Sequence, residues 1–380
     1  MKRVLFISVL MLAVAAPAAA QLGKLGQAAG KLSKAKSLAD QIKDFVITEQ
    51  EEKDMGVAIS ARLRQKYGVV QSAPVHKYVS LVGRVLASSS SRPNLTWTFI
   101  VLDTDGVNAF AAPGGYVHIT RGALALIADE AELAGVLGHE ITHISAKHTI
   151  NAIKKSKVAG GVVEAATRSN VLEFMLDRAY ANLLENSYDR DDENQSDQVG
   201  IRIANKVGYA PAGLGAFLTR LSARNKDLKE PSGVFASHPE TTDRVSKLAR
   251  QIKSEKLTAT ATVAARYKAT ITYTPVAVTV VAGAAGASSL TGSSGSAAPT
   301  TAKPAPAAST TTPTASTSKF GLGGVTSKLG ADKTNTGTVA SAGSRGVNPD
   351  RDAKGGPNPG RVTVTLTPAE IAAFRTGISG

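Results

Sequence analysis

The chain has 380 residues, enough for one substantial core and a small second module, and it contains no cysteine. Disulfides, a lipid-modified cysteine and thiolate ligands are thereby excluded, so a transition-metal site must use histidine and carboxylate side chains. The formal net charge of +14 indicates contact with anionic lipid headgroups or acidic cell-wall polymers, or simply serves solubility. The lack of a motif that sets aromatics among basic residues argues against a nucleic-acid partner.

The N-terminus has the pattern of an export signal. Lys2 and Arg3 precede an apolar run over residues 4–16, and small alanine-rich residues follow that run. We therefore predict that residues 1–20 are a secretory signal peptide with an Ala-x-Ala cleavage site. An uncleaved membrane anchor is the alternative, but the apolar run is shorter than the roughly 20 residues of a spanning helix.

The next segments are predicted to be helical. Residues 21–47 place leucines at helical spacing between lysines, which predicts a basic amphipathic helix. This helix either lies on a membrane surface or packs on the following domain. Thr48 and the glutamates behind it form an N-cap and an acidic first turn, so a helix should run from there to Gly68. Another helix is predicted over residues 75–87.

Two strands and a long helical stretch follow. Residues 95–102 are rich in β-branched and aromatic side chains, and residues 116–120 continue that character after a Pro-Gly-Gly turn. They predict a hairpin or a small mixed sheet. Residues 121–148 then show helical periodicity, with a start near their acidic residues. More helices are predicted over residues 171–184, 192–207 and 211–228, and the segment 149–190 could act as a lid or plug.

The composition changes beyond the domain predicted for residues 48–255. Residues 258–274 alternate enough to form one or two strands, so residues 256–287 are predicted to be a β-rich extension, whose apolar part over residues 276–287 is too short to span a bilayer. Residues 288–360 are a linker of Pro, Thr, Ser and Gly, which buries too little apolar surface to offset chain entropy. Residues 361–380 alternate like a strand and then show a capped helix start at Thr367. This tail could contact the main domain, another protein, the membrane or the cell wall.

A histidine pair lies inside the strongest helical pattern. Residues 138–143 read GHEITH, so His139 and His143 are one turn apart and both imidazoles can reach one cation at about 2.0 to 2.1 Å. Glu140 is rotated by about 100° from His139, where it can accept a proton from water that the metal activates. A chance match is the alternative, at a rate on the order of one in a hundred for a chain of this length.

The residues alone leave the third ligand open. The metzincin pattern would need a histidine where the chain has Thr149. His148 misses that position by one residue, so we interpret it as a surface histidine or as one near the ligands. Glu193 is the better choice, and Asp197, four residues on, could hold the second nitrogen of a ligand imidazole. Glu193 could equally belong to the capping chemistry of an acidic helix start.

Four motifs follow in a fixed order along residues 45–250. They are NAFAAPGG at residues 108–115, the HEITH segment, Glu193 with Asp197, and Ser237-His238-Pro239 with Arg244. Together they resemble the gluzincin peptidases, the family of the CAAX prenyl endopeptidase and the HtpX membrane protease (peptidase family M48). With the export signal, they are similar to its soluble periplasmic branch of outer-membrane quality-control proteases. Where that family has an aromatic residue and alanine, this chain has Asn194 and Ser196.

The resemblance implies a metal site with one Zn²⁺ per chain. It implies His139, His143 and Glu193 as ligands and Glu140 as the general base. It also places Asp197 and Arg244 around those ligands, with the guanidinium paired to a carboxylate.

The remaining motifs imply substrate contacts. His238 would donate to the oxyanion or occupy the open metal position, and a structural histidine before proline is the alternative. A substrate strand would add to the edge formed by residues 108–116, although a plain hairpin turn also explains the Pro-Gly-Gly sequence. The implied substrate-binding residues are Asn108, Phe110, Ala111, Gly114 and Gly115.

We therefore predict an α+β fold that is mainly α-helical. A zincin-like metalloprotease domain with a small sheet or hairpin beside the active-site helix should precede a low-complexity C-terminal region. The predicted function is zinc-dependent hydrolysis of peptide bonds in misfolded or unassembled envelope proteins of the periplasm. Two alternatives stay open: a chaperone-like envelope assembly factor that rarely uses its metal site, and a structural zinc module with four protein ligands.

Overall fold

The described part of the chain is mainly helical. The computed structural model describes residues 46–155, 167–185, 188–225, 241–276 and 358–379. Its helices are α1 (Glu49–Tyr67), α2 (Ala73–Ala87), α3 (Arg121–Leu126), α4 (Glu130–Ser145), α5 (His148–Lys155), α6 (Arg168–Glu185), α7 (Arg190–Val207), α8 (Gly213–Asn225), α9 (Thr241–Ser254), α10 (Ala264–Thr270) and α11 (Pro368–Ser379). The predicted signal peptide, nearly all of the predicted basic helix and most of the predicted linker lie outside the described residues.

A three-stranded mixed sheet accompanies the helices. β1 (Thr98–Leu102) runs parallel to β3 (Tyr116–Thr120), and β2 (Ala109–Ala112) pairs antiparallel with the other side of β3. β2 is therefore an outer strand. The predicted small mixed sheet is confirmed, and β3 has the predicted bounds. Strand propensity alone predicts no strand at β2, because three of its four residues are alanine.

Alternate side chains of the sheet enter two apolar clusters, as the pleat requires. Phe99 and Val101 of β1 belong to the larger cluster, which also takes side chains from α2, α4, α7 and α8. Ile100 and Leu102 point the other way, into a smaller cluster with α1, α5 and α6. The sheet thus separates two helical layers, with α4 on the side of the larger cluster.

The turn between β2 and β3 is held by a buried carboxylate of α1. Gly114 has a φ of 71°, and a Cβ placed on it would lie 2.6 Å from the Cα of Lys53. Its N–H donates to Glu52 Oε1 at 3.2 Å, and Arg92 donates to the same oxygen at 2.6 Å. Glycine is needed here both for the left-handed backbone and for the close approach of α1.

Capping residues set the limits of the helices. Thr48 and Glu51 form a capping box, in which Glu51 N donates to Thr48 Oγ1 at 3.2 Å and Thr48 N donates to Glu51 Oε2 at 2.8 Å. α1 ends at Tyr67 with Gly68 as its C-cap, as predicted. The helical pattern over residues 121–148 is divided among α3, α4 and α5, because Asp129 accepts a hydrogen bond (2.9 Å) from the first turn of α4.

The described part of the predicted β-rich extension contains one short helix and joins no strand of the sheet. Ala264–Thr270 forms α10, and Ala261 makes only an isolated bridge to Tyr209. The alanines, arginine and lysine of α10 have high helix propensity. The alternating apolar pattern of this segment nevertheless predicts strands. Burial of Tyr267 in the larger cluster then holds this helix on the domain.

The C-terminal tail packs on the main domain. Residues 361–367 form neither helix nor strand and join no strand of the described sheet. The predicted helix is present as α11, and Glu370 N donates to Thr367 Oγ1 at 3.2 Å. Val69 N donates to the carbonyl of Asn358 at 2.6 Å, and the α11 residue Ile378 is buried.

The predicted fold class, mainly helical with a small sheet, is confirmed. Among the described residues, no helix combines the length and apolar character needed to cross a lipid bilayer.

Candidate metal centre

Two imidazoles of α4 point to the same place. His139 and His143 lie one turn apart, and their Nε2 atoms are 3.0 Å from each other. Both side chains are buried. The regular helix between them is sufficient to bring these two nitrogens together.

Helix α7 crosses α4 closely because two glycines meet at the crossing. A Cβ on Gly200 would lie 2.8 Å from the backbone nitrogen of His139, and a Cβ on Gly138 would lie 2.8 Å from the carbonyl oxygen of Gly200. Neither glycine can therefore carry a side chain unless the helices move apart. The close crossing brings Glu193 and Asp197, both on α7, to the two histidines.

Glu193 presents its carboxylate to the paired imidazoles. Its Oε1 is 3.3 Å from His143 Nε2, and its Oε2 is 3.7 Å from His139 Nε2. The capping function at the start of α7 belongs to Asp189, whose side chain accepts from Asp192 N at 2.8 Å. In the structure Asp189 caps α7 and Glu193 faces the imidazoles, whereas the acidic sequence alone does not show which residue has which function.

The donor set fits a tetrahedral divalent ion. With metal–ligand bonds of about 2.0 to 2.1 Å, tetrahedral ligand atoms lie about 3.3 Å from one another. The Nε2–Nε2 distance of 3.0 Å is close to that value, and each imidazole nitrogen has one Glu193 oxygen nearby, Oε1 at 3.3 Å from His143 and Oε2 at 3.7 Å from His139. In the part of the chain that the structure describes, His139, His143 and Glu193 form the group of side chains with metal-binding spacing.

Asp197 and Arg244 orient His139. Asp197 Oδ1 accepts from His139 Nδ1 at 2.9 Å, so that the proton sits on Nδ1 and the lone pair of Nε2 is available for a metal. Arg244 donates to both oxygens of Asp197, at 2.8 and 2.7 Å, and its Nη1 is 3.1 Å from Glu193 Oε2. Burial raises the pKa of Asp197, but the hydrogen bonds from Arg244 and His139 outweigh it and lower the pKa to about 2.

A second chain of hydrogen bonds reaches His143. His148 Nδ1 lies 3.0 Å from His143 Nδ1, and His148 Nε2 lies 2.9 Å from Gln195 Oε1. Because an amide oxygen only accepts, His148 carries its proton on Nε2 and uses Nδ1 to accept from His143 Nδ1. His143 Nε2 then keeps its lone pair for a metal. Ser196, where the family has alanine, places its hydroxyl 3.3 Å from His148 Nδ1.

Tyr188 covers the other side of His143. The two rings are stacked with centroids 3.9 Å apart. The Tyr188 hydroxyl lies 2.9 Å from Thr149 Oγ1, which in turn contacts the carbonyl of Ala111 on β2. Burial raises the pKa of Tyr188, and the charge of Glu140 raises it further. The sequence interpretation missed Tyr188 and Gln195, since neither belongs to a short motif.

Glu140 is fully buried on α4 beside the paired imidazoles. Glu140 directly follows His139 on the helix, so its side chain points about 100° away from the direction of the His139 imidazole. Burial lowers the pKa of Arg244, but the hydrogen bond to Asp197 and the charges of Asp197, Glu193 and Glu140 outweigh it and raise the pKa. A buried carboxylate at this place is suited to proton transfer.

The five predicted substrate-binding residues fall into different environments. Ala111 lines a small cleft of about 10 Å³, room for about one water molecule, that also contacts His143. Phe110 is buried and stacks on Tyr67 with ring centroids 5.9 Å apart. Asn108 Oδ1 accepts from the next backbone N–H at 2.9 Å. Gly114 and Gly115 shape the turn, both with positive φ. A contact with substrate through their backbones stays a prediction.

Two other predictions have different outcomes. His238 lies outside the described residues. The segment proposed as a lid or plug includes α6, which packs on α1, α5 and β2 within the smaller apolar cluster. The Tyr188 contact with His143 described above belongs to the same segment.

Comparison with known proteins gives consistent matches. The chain is 23% identical over 207 residues to the beta-barrel assembly-enhancing protease of Yersinia pestis, covering 52% of this chain and 43% of that protein. It is 27% identical over 176 residues to the mitochondrial metalloendopeptidase OMA1 of Schizosaccharomyces pombe, covering 46% and 52% respectively. It is 29% identical over 159 residues to the metalloprotease YcaL of Escherichia coli, covering 40% and 61%.

The chain spans about half the length of the curated relatives it matches. Residues 75–252, which include all three side chains of the metal-binding group, match the family model of peptidase family M48. The predicted family resemblance is therefore confirmed: residues 75–252 match a domain of peptidase family M48.

Proposed function

We propose that the chain is an exported zinc metalloendopeptidase that cleaves unfolded or unassembled proteins of the bacterial envelope. The observation that supports this most directly is the convergence of His139 Nε2, His143 Nε2 and the Glu193 carboxylate within 4.8 Å. Each imidazole is also held by its own hydrogen-bond partner. Such oriented ligands are typical of catalytic metal sites.

Zinc is the metal that we assign to this site. Two imidazoles and one carboxylate are a common ligand set for catalytic zinc, and three protein ligands leave a coordination position open for reactants. When bound there, zinc would polarise a peptide carbonyl and make a water more acidic. The alternative of a structural zinc module would require a fourth protein ligand.

Glu140 is the proposed general base. Its buried carboxylate accepts the proton of the attacking water and then delivers it to the leaving amine nitrogen. Arg244, by pairing with Asp197, keeps His139 in the tautomer that presents Nε2. We retain His238 as a proposed oxyanion donor on the family resemblance alone.

The substrate assignment rests on two observations. β2 is an outer strand next to the small cleft that contacts His143, and an extended polypeptide could pair with it if the side chains that bury its four residues move aside. Relatives carry the name beta-barrel assembly-enhancing protease, which supports action in the envelope. We infer from these and from the predicted signal peptide that the protein acts on polypeptides in the periplasm.

A substitution of the general base tests the function. Glu140→Gln should keep one zinc per chain, since the ligands are intact, but lower the rate of casein cleavage by at least about a hundredfold. Zinc would be measured by elemental analysis and cleavage by a fluorescent casein assay with and without a chelator. Glu173→Gln, an exposed change on α6, is the matched control. Cleavage by Glu140→Gln at the wild-type rate would contradict the assignment.

A complementation assay separates peptidase activity from an assembly role. The Glu140→Gln protein should fail to restore envelope integrity to a strain that lacks the wild-type protein. If it restores integrity fully, binding rather than hydrolysis is the main activity.

A further inference from the structure

A buried carboxylate joins the start of α4 to more distant parts of the chain. Glu130, the first residue of α4, is fully buried. Its oxygens accept hydrogen bonds from the hydroxyls of Tyr78 (2.8 Å) and Tyr209 (2.9 Å) and from Nε and Nη2 of Arg266 (2.5 and 2.6 Å). These donors come from α2, from the residues after α7 and from α10. The carboxylate therefore fixes the N-terminal end of α4 relative to three other segments.

The donors keep their protons at neutral pH. Burial raises the pKa of Tyr78 and of Tyr209, and the negative charge of Glu130 raises both further. The hydrogen bond with Glu130 also raises the pKa of Arg266. A guanidinium paired with both oxygens of a carboxylate has a defined orientation, so this contact fixes direction as well as distance.

The C-terminal tail covers the guanidinium of Arg266. Phe374 on α11 lies over it, with Cζ 4.0 Å from the ring centroid. The same ring meets Tyr78 edge to face at 6.1 Å. At the rim, Lys77 donates to Glu370 at 2.6 Å. The tail thus contacts two of the three side chains that hold Glu130.

These contacts lie along the helix that carries the paired imidazoles. Glu130 is nine residues before His139 on α4, about 13 Å at the rise of an α-helix. A helix of this length transmits a tilt at one end to the other, since its backbone bonds are continuous. Arg266 and Phe374 both lie outside residues 75–252, the part that matches the family model.

We propose that Arg266 and Phe374 are positioning residues for the metal centre. Residues 358–379 then contribute to the function of the metalloprotease domain, although the predicted linker separates this tail from the domain along the sequence. The inference depends on the proposed metal site, because positioning is defined relative to His139 and His143. A purely structural role would lower thermal stability and leave the properties of the folded metal site unchanged.

Two kinds of variant test this in the full-length protein. Phe374→Ala removes the ring that covers Arg266 and keeps the ion pair, and Phe374→Tyr restores an aromatic face. The double variant Glu130→Gln, Arg266→Gln removes both charges, so that neither is left buried and unpaired. Arg202→Gln is the matched control, since it breaks a bidentate pair with Glu255 (2.7 and 2.6 Å) on the exposed surface.

Two readouts are independent of peptidase activity. The first is the zinc dissociation constant, measured by chelator competition at a temperature where every variant is folded. We expect Phe374→Ala to raise it about threefold to tenfold, the double variant at least as much, and Phe374→Tyr and Arg202→Gln less than about twofold. The second is hydrogen exchange of the metal-free protein, in which residues 138–143 should exchange faster in Phe374→Ala than in Arg202→Gln.

The outcomes separate this inference from the proposed function. Zinc affinity and exchange that match the wild type in both Phe374→Ala and the double variant would overturn the positioning role, even if their melting temperatures fall. A wild-type protein that binds no zinc would contradict the proposed function. In that case faster exchange at residues 138–143 would still support the coupling to α4, and unchanged exchange would refute it.

Discussion

His148 determines which nitrogen of His143 can face a metal. It accepts from His143 Nδ1 only while Gln195 holds the proton of His148 on Nε2. The side chain is buried, so water cannot replace it as an acceptor. His148 and Gln195 therefore act on the proposed ligand in the same way as Asp197 acts on His139.

Substitution of His148 should weaken metal binding. His148→Phe leaves the Nδ1–H of His143 buried without an acceptor, so we expect the zinc dissociation constant to rise about 10-fold to 100-fold. Gln195→Leu should have a smaller effect in the same direction, because His148 remains. Chelator competition would measure both, with Lys154→Gln on α5 as the control. Unchanged affinity in His148→Phe would show that this hydrogen bond does not orient the ligand.

The sequence predicts the histidine pair and Glu140 because their spacing alone places them on one helical turn. It leaves Glu193 ambiguous, since an acidic helix start serves capping and metal binding equally well, and only the three-dimensional position of Asp189 resolves this. Tyr188 could not be predicted as a neighbour of His143. That contact depends on how α6 and α7 pack, and no local pattern encodes it.

At the scale of elements, helix limits follow from local chemistry and helix crossings do not. The capping box at Thr48 and the N-cap at Thr367 are both visible in the sequence and both present in the structure. The crossing of α4 and α7 depends on Gly138 and Gly200, which are 62 positions apart, and Gly200 belongs to no motif. Their effect appears only when the two backbones are seen together.

The glycine contact leads to an expectation for α7. Gly200→Ala places a methyl group 2.8 Å from the backbone nitrogen of His139, so the helices must separate slightly. We expect a loss of about 1 to 3 kcal/mol in the free energy of unfolding, together with weaker zinc binding.

A glycine on α8 provides the control for this change. Gly215→Ala meets nothing within 4 Å and should be neutral or stabilising, since alanine favours a helix over glycine. Denaturant unfolding with and without a chelator would compare the two proteins. A Gly200→Ala protein as stable as the wild type would show that the crossing is not tight.

For the whole molecule, the tail and the domain are joined by contacts as well as by the chain. Arg64 donates to the carbonyl of Pro359 at 2.7 Å, and Gln71 donates to that of Gly360 at 2.8 Å. Together with the burial of Ile378, these contacts give the tail a specific position on the domain. The sequence predicts the tail helix but leaves open what it contacts.

Limited proteolysis should reveal this association. If the chain is cut once within residues 277–357, the C-terminal piece should stay with the domain on size-exclusion chromatography and separate only in denaturant. Phe374→Ala should weaken the association, since it removes the central aromatic contact. A C-terminal piece that elutes alone in native buffer would contradict the docked arrangement.

The buried carboxylate of Glu52 is linked through one residue to the tryptophan of the chain. Its partner Arg92 also offers the carbonyl that accepts from the indole N–H of Trp97 at 3.1 Å, and Trp97 is the one tryptophan of the chain. The tryptophan fluorescence of the protein therefore comes from a single buried ring. This ring lies beside Arg92, the partner of the carboxylate that binds the β2–β3 turn. A shift in emission when zinc or a peptide is added would report rearrangement at that point, without a dye or label.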